Sequence, residues 1–343
     1  MKNNYRNILI VRTDRIGDVV LTLPLARLIK KHYPNSKVTF LVRDYTKSIL
    51  NNHPFIDDTI ILKEKDGNVV FFDNLATISS HKFDVCIVVY PNFITSLLVF
   101  LSGIKKRVGT GYRWYSFLFN EKLFEHRKYA QKHELEYNVN LLKKLDIEED
   151  ISIENVKYDL IVENSLLKKI QTQLTEIDID LQKQFIVVHP GSKGSSMDLP
   201  IAKFKELVKK LSDDNLTILL TGSTAEVEIC NQLVINDKVK NLAGKFNLDE
   251  LIALISKADV FISNSTGPMH IAAALGKITV GFYPKIVSCS KERWGPYTAN
   301  KLVYVPQIDC NNCTREQCEK LDCMNSIDMN IVFKDIKNIL VKL

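Results

Sequence analysis

The sequence is short of most features that would make a chain secreted, membrane-spanning or built for nucleic acid. Met1 to Arg6 runs straight into an apolar strand rather than the long hydrophobic core of a secretory signal. The longest apolar run, around Phe93 to Leu101, is too short to span a bilayer. No recognised nucleic-acid-binding module accompanies the basic residues, so no nucleic-acid partner is expected. No apolar strand leads into Asp178-Ile179-Asp180, so this DxD signature reads as coincidental and no catalytic metal is expected. The thiols and serines show no nucleophile–base arrangement that would support a double displacement. What remains is a cytoplasmic chain whose chemistry must come from a few loops.

At 343 residues, 45% hydrophobic and 25% charged, the chain has the size of two ordinary domains and the composition of a soluble one. The net charge of +6 is unevenly spread. Between Ile104 and His133 eight Lys and Arg (Lys105, Lys106, Arg107, Arg113, Lys122, Arg127, Lys128, Lys132) face only Glu121 and Glu125. Tyr112, Trp114, Tyr115, Phe117, Phe119, Phe124 and Tyr129 are interleaved with them. Such a stretch suits an anionic membrane surface or a phosphorylated acceptor, or else a solvated face over core aromatics.

Short apolar runs alternate with helix-like segments. Strands are expected at Asn7–Val11, Lys37–Val42, Thr59–Leu62, Phe83–Val89 and Arg107–Gly109, with helices at Val19–His32, Tyr45–Asn51, Phe71–Ser79, Ile94–Leu101 and Glu134–Leu145. Leu145 to Asp180 is more polar and reads as a domain boundary. The alternation then restarts with strands at Phe185–His189, Leu216–Leu220, Val239–Leu242, Asp259–Ser263 and Ile278–Phe282. Two successive α/β units of parallel βαβ type follow, each Rossmann-like and facing a cleft.

Three stretches carry the chemistry. In ILIVRTDRIGDVVLTLP, Ile8 to Pro24, a buried strand gives way to a polar connection and then a helix with Asp18 at its start. An aspartate there is an ordinary N-cap. Pro24 cannot sit comfortably six residues into that helix, so the helix kinks or starts later, which would leave Asp18 free for chemistry. In SNSTGPMHIAAALG, Ser263 to Gly276, a hydroxyl-rich loop opens a helix, so free N–H groups and the helix dipole converge as at an anion site. The loop HPGSKGSSMDLP offers Lys193 between two glycines as a cation for a diphosphate. His189 and His270 each read as structural histidines. Gly222, Glu226 and the turn at Gly244 are candidates to hold a nucleoside.

In this order and spacing, VRTDRIGDVVLTLP, HPGS and SNSTGPMHIAAALG resemble glycosyltransferase family nine, the heptosyltransferases of lipopolysaccharide core assembly. The resemblance implies a GT-B architecture, with residues 1–165 as an acceptor-binding domain, 180–326 as a nucleotide-sugar-binding domain, and a C-terminal helix at 327–343 crossing back to the first. It implies that Asp18 is the general base and that Ser192, Thr266, Gly267 and His270 bind donor phosphates, with Lys193 and Ser265 beside them. Two departures stand out. The family lysine preceding a Trp-Pro pair falls on Met197, with the tryptophan at Leu199, and the aspartate usual before TG is Ser265. Arg12, Arg15, Arg107 and Arg113 are the cations assigned to the acceptor or the membrane.

Cys310, Cys313, Cys318 and Cys323 form a C-x2-C-x4-C-x4-C cluster that could hold a structural zinc, with reduced thiols as the alternative. Cys86 reads as core. The expected function is inverting, metal-independent transfer of a heptose, from ADP-heptose by the resemblance, to a lipid-linked lipopolysaccharide inner-core acceptor at the inner face of the cytoplasmic membrane. No cofactor is required. The alternatives are transfer of another nucleotide sugar in cell-surface glycan synthesis, a sugar-nucleotide epimerase, or a non-catalytic sugar-nucleotide-binding accessory protein.

Overall fold

The computed structural model describes residues 5–180, 183–192, 194–214, 216–308 and 314–341. These divide into two compact units, one holding residues up to Arg127 together with Glu134–Ile161, the other Lys128–His133 together with Val162 onward. Among the described residues no helix is long and apolar enough to cross a membrane.

The first unit is built on a parallel sheet of β1 (Asn7–Val11), β2 (Lys37–Val42), β3 (Asp58–Ile61), β4 (Val85–Val88), β5 (Lys106–Thr110) and β6 (Glu121–Leu123), in the order β3-β2-β1-β4-β5-β6. Its helices are α1 (Ile16–Val20), α2 (Pro24–His32), α3 (Phe71–Ser80), α4 (Phe93–Leu101) and α5 (Glu134–Asn140). Ile8, Leu9, Ile10 and Val11 are buried because a central strand with helices on both faces has no wet side. The single helix expected over Val19–His32 is two, since Pro24 takes the first position of α2, where a missing N–H costs nothing. The helix expected at Tyr45–Asn51 is a 3₁₀ segment, Asp44–Leu50.

The second unit repeats the plan with β7 (Phe185–His189), β8 (Thr217–Leu220), β9 (Val239–Asn241), β10 (Val260–Asn264), β11 (Ile278–Phe282) and β12 (Lys301–Tyr304), all parallel and in the order β9-β8-β7-β10-β11-β12. Its helices are α6 (Asn164–Thr175), α7 (Ile201–Asp213), α8 (Val227–Asn231), α9 (Leu248–Lys257), α10 (Gly267–Ala274), α11 (Lys291–Trp294), α12 (Arg315–Lys320) and α13 (Met329–Leu340). The sheet order places a switch point between β1 and β4 in the first unit and between β7 and β10 in the second, where connections leave in opposite directions and open a crevice.

The segment Leu145 to Asp180, read as a domain boundary, holds the division between the units after Ile161 and also α6, which buries Ile170 and Leu174 and packs on α9, with Lys169 Nζ 2.7 Å from Glu250. One expectation is corrected. The C-terminal helix, expected to cross back to the first domain, puts Met329, Val332, Ile336 and Leu340 into the core of the second unit. It packs on α7, and Lys337 pairs with Asp214 at 2.9 Å. Its apolar face is satisfied there by Ile201, Phe204 and their neighbours.

Candidate active site

In the first unit the functional side chains gather at the carboxyl end of β1. Arg12 leaves that strand and turns inward, 1% exposed. Its Nε donates to Asp14 at 2.8 Å, its Nη2 donates to the Asp18 carboxylate, and its Nη1 donates to Asn138 Oδ1 at 3.3 Å. Glu134, at the start of α5, lies 3.6 Å from Nη2 and also accepts from Arg127. Asn138 in turn donates to the Leu21 carbonyl at 3.1 Å, in the break between α1 and α2. The interruption forced by Pro24 is thus where α5 anchors the helix pair that carries Asp18.

Asp18 sits in the first turn of α1, yet the cap position belongs to Arg15, with no side-chain cap bond there. The Asp18 carboxylate is held by Arg12 instead and stays partly open. The capping reading of Asp18 is therefore replaced by an ion pair. Burial by itself would depress the Arg12 guanidinium, but Asp14, Asp18 and Glu134 overcome it and hold it above its ordinary value. For Asp14 burial wins, with the neighbouring Asp18 charge adding to it against the pull of Arg12, and its carboxyl is pushed up to about 7. Asp14, Glu134 and Asn138 were not singled out from sequence, and Arg127 only as part of the basic window. Asp14 had a signal in its adjacency to Arg12, but Glu134 and Asn138 come from more than a hundred positions away and had none.

The other expected cations part company. Arg15 is exposed beside α1. Arg113 is exposed after β5. Arg107 is occupied: its guanidinium donates to the carbonyls of Leu118 at 2.8 Å and Ile104 at 2.5 Å, near the amino end of β5 and the opposite sheet edge from Asp18. The basic window does not belong to one unit either: Lys128 to His133 groups with the second.

In the second unit the switch point brings the HPGS loop against the loop that opens α10. Asn264 Nδ2 donates to the Pro190 carbonyl at 2.7 Å, and its Oδ1 accepts from Leu199 N at 2.9 Å. Ser195 Oγ lies 2.8 Å from the Ser192 carbonyl and 2.7 Å from that of Ser265, clamping the two loops together. Ser192, Ser265, Thr266 and His270 are all buried around this seam. Thr266 is the cap residue of α10 without a side-chain cap bond, its hydroxyl being 2.8 Å from Ser263 Oγ. The first N–H groups of α10 and its positive dipole end are thereby directed at the crevice, as an anion requires. His189 Nδ1 is bonded to Thr221 at 3.0 Å, a structural histidine as expected. Lys193 lies outside the described residues, as do Cys310 and Cys313.

Gly222, Glu226 and Gly244 meet at the end of β8. Gly244 N donates to the Gly222 carbonyl at 2.8 Å, and its φ of +75° is one that only glycine adopts without strain. Glu226 Oε2 accepts from Ser223 N and Oγ, both at 2.7 Å, so much of this side chain is spent on capping. Its other oxygen packs on Gly191, where a Cβ would come within 1.8 Å of it. Glu226 therefore joins the HPGS loop to the Gly222 turn, a role beyond the nucleoside contact expected for it. Cys318 and Cys323 are buried beside Met197, Ile286 and Ile308. Among the described residues these are two of the four donors expected for a structural zinc.

A family model for glycosyltransferase family 9 (heptosyltransferase) matches residues 75–323. The chain belongs to that family. A Haemophilus influenzae protein, named only provisionally and only as a glycosyltransferase, is 32% identical over 295 residues, 84% of this chain and 85% of the relative. Lipopolysaccharide heptosyltransferase 3 of Escherichia coli is 23% identical, covering 84% of this chain and 85% of its own length. Among solved structures, a glycosyl transferase family 9 protein from Veillonella parvula superposes with a TM-score of 0.84 at 20% identity, covering 100% of this chain and 99% of its own. The ADP-heptose lipopolysaccharide heptosyltransferase II of Escherichia coli gives 0.77, also at 20% identity, covering 98% and 99%. At those identities the superpositions speak for the fold, the paired Rossmann-like units of a GT-B protein. This family 9 chain is a glycosyltransferase enzyme.

Proposed function

We propose that this glycosyltransferase moves a heptose from ADP-heptose onto a lipid-linked saccharide of the lipopolysaccharide inner core at the cytoplasmic face of the membrane. The family supports the reaction class, and the names of several relatives support the sugar. The observation that carries the mechanism is the Arg12–Asp18 pair at the carboxyl edge of the first sheet. A carboxylate pinned on one side by a buried guanidinium, and not consumed by capping its own helix, has a lone pair left for an acceptor hydroxyl.

In this reading Asp18 takes the hydroxyl proton as the acceptor oxygen forms its bond to the anomeric carbon. The bond from that carbon to the diphosphate breaks in the same displacement, so the anomeric centre inverts. The departing negative charge is met by the N–H groups at the start of α10 and by the hydroxyls of Thr266 and Ser265, which are fixed before the reaction begins. No cofactor takes part in the proposed step.

The test is turnover of ADP-heptose with a delipidated inner-core saccharide, alongside a panel of other sugar nucleotides. Asp18→Asn should lower kcat by roughly 10²- to 10⁴-fold with donor binding unchanged. Turnover of a different sugar nucleotide alone would refute the assigned donor, and a fully active Asp18→Asn would refute the assigned base.

A further inference from the structure

We propose that the outer face of α4, with the loop that follows β5, is a docking surface for an anionic lipid bilayer. The proposal rests on the transferase reading only for the lipid end of the acceptor. The surface itself is argued from exposure and charge.

The segment Phe93–Leu101 is apolar except for Thr95 and Ser96, a composition that normally marks a buried helix. Asn92 caps it, accepting from Thr95 N at 2.9 Å, and Thr95, Ser96, Leu98 and Val99 are buried against the sheet. Phe93, Ile94, Phe100 and Leu101 are nevertheless exposed, 39% to 50%. Two further side chains extend the stripe. Trp114 is 74% exposed and stacks on Phe93 at 4.9 Å between ring centres, and Phe117 is 66% exposed in a turn that packs on α4. A contiguous apolar face of this kind is uncommon on a chain that meets only water.

Charge identifies the occupant. From Val85 to Asn120 the sequence contains no Asp or Glu, while Lys105, Lys106, Arg107 and Arg113 all fall within it. Lys105 and Arg113 are exposed, and the Arg107 guanidinium lies 5.1 Å over the Phe100 ring. Exposed aromatic side chains flanked by Lys105 and Arg113, in a stretch of sequence without a carboxylate, match the interface of a bilayer bearing anionic headgroups. A second copy of this chain fits less well, since an isologous contact would set one cationic patch against another. The position is also useful. Phe93 and Trp114 follow the carboxyl ends of β4 and β5, the same sheet edge from which Arg12 and Asp18 project.

The experiment uses the full chain carrying Trp294→Phe, which leaves Trp114 as its one tryptophan. Sedimentation and emission are measured with vesicles of phosphatidylglycerol and phosphatidylethanolamine, and with vesicles of phosphatidylcholine, with neither donor nor acceptor present. The expected result is binding to the anionic vesicles, a blue shift of Trp114, and release as salt is raised. Trp114→Ser with Phe117→Ser, and separately Lys105→Glu with Arg113→Glu, should each reduce partitioning about tenfold or more. Trp114→Ser with Phe117→Ser should still transfer onto a delipidated saccharide. Equal partitioning to both vesicle types would overturn the proposal, as would double variants that bind like the parent. A dimer broken by Trp114→Ser and Phe117→Ser, in a chain that ignores vesicles, would assign the face to self-association instead. Vesicle binding that depends on these residues in a protein without transferase activity would uphold the surface while counting against the reaction.

Discussion

Replacing Asp14 by asparagine should remove a pH-dependent weakness from the first unit. The Asp14 carboxyl is pushed from its ordinary value of 3.8 up to about 7, because burial and the Asp18 charge outweigh the pull of Arg12. Between those values the folded state holds a proton that the unfolded chain releases, so stability falls as pH rises through the window and the loss is complete above pH 7. At about 1.4 kcal/mol per unit, the shift corresponds to about 4 kcal/mol in all, of which about 3 kcal/mol develops between pH 5 and pH 8. Asparagine keeps an oxygen to accept the 2.8 Å bond from Arg12 Nε, so the packing survives while the proton linkage disappears. Hydrogen exchange followed against urea, on peptides covering β1 and β4, reads the first unit separately from the second. The parent should lose stability relative to Asp14→Asn by about 3 kcal/mol from pH 5 to pH 8. A difference that stays flat across that range would mean that Asp14 is ionised throughout and that Arg12 dominates its surroundings.

The remaining predictions concern the second unit. Gly191→Ala drives a Cβ into Glu226 Oε1 and should displace that side chain from its bonds to Ser223. The expected cost is about 1–2 kcal/mol, with weaker binding of ADP by calorimetry, and adding Glu226→Ala should restore part of the stability. Ile336→Ala opens a cavity under the C-terminal helix and should cost about 2–5 kcal/mol. Exchange protection should fall in β7 and α7 and stay unchanged in β1; the reverse pattern would mean that this helix serves the first unit.

The two Rossmann-like units were legible because buried parallel strands are continuous apolar runs, as ILIV and FIVVH are. The edge strands β6 and β12 escaped for the complementary reason. EKL is half-buried and polar, KLVY is half-buried along its whole length, and neither carries the signature of a central strand. Helix α6 was missed because it buries only Ile170 and Leu174, too few apolar positions to stand out from a charged background. The last helix was placed by resemblance rather than by its own pattern. Its buried residues at 329, 332, 336 and 340 describe a stripe for one neighbour but do not say which unit supplies it.

The candidate site shows the same division between local and distant information. Ser192, Gly222, Gly244 and Thr266 lie on loops after strands, and a parallel sheet delivers all such loops to one edge, so chain order alone was enough to collect them. The acceptor side needed more. Whether Asp18 caps a helix or faces the crevice depends on what else can hold its carboxylate, and that partner is a guanidinium whose burial requires Asn138 and Glu134 from α5. Pro24 connects the two kinds of information. By ending α1 after Val20 it exposes the Leu21 carbonyl, which accepts from Asn138, and so recruits the distant helix that supports Arg12. A proline that looks like an obstacle to one long helix is, in the folded chain, what allows the aspartate in front of it to be held by side chains instead of by its own backbone.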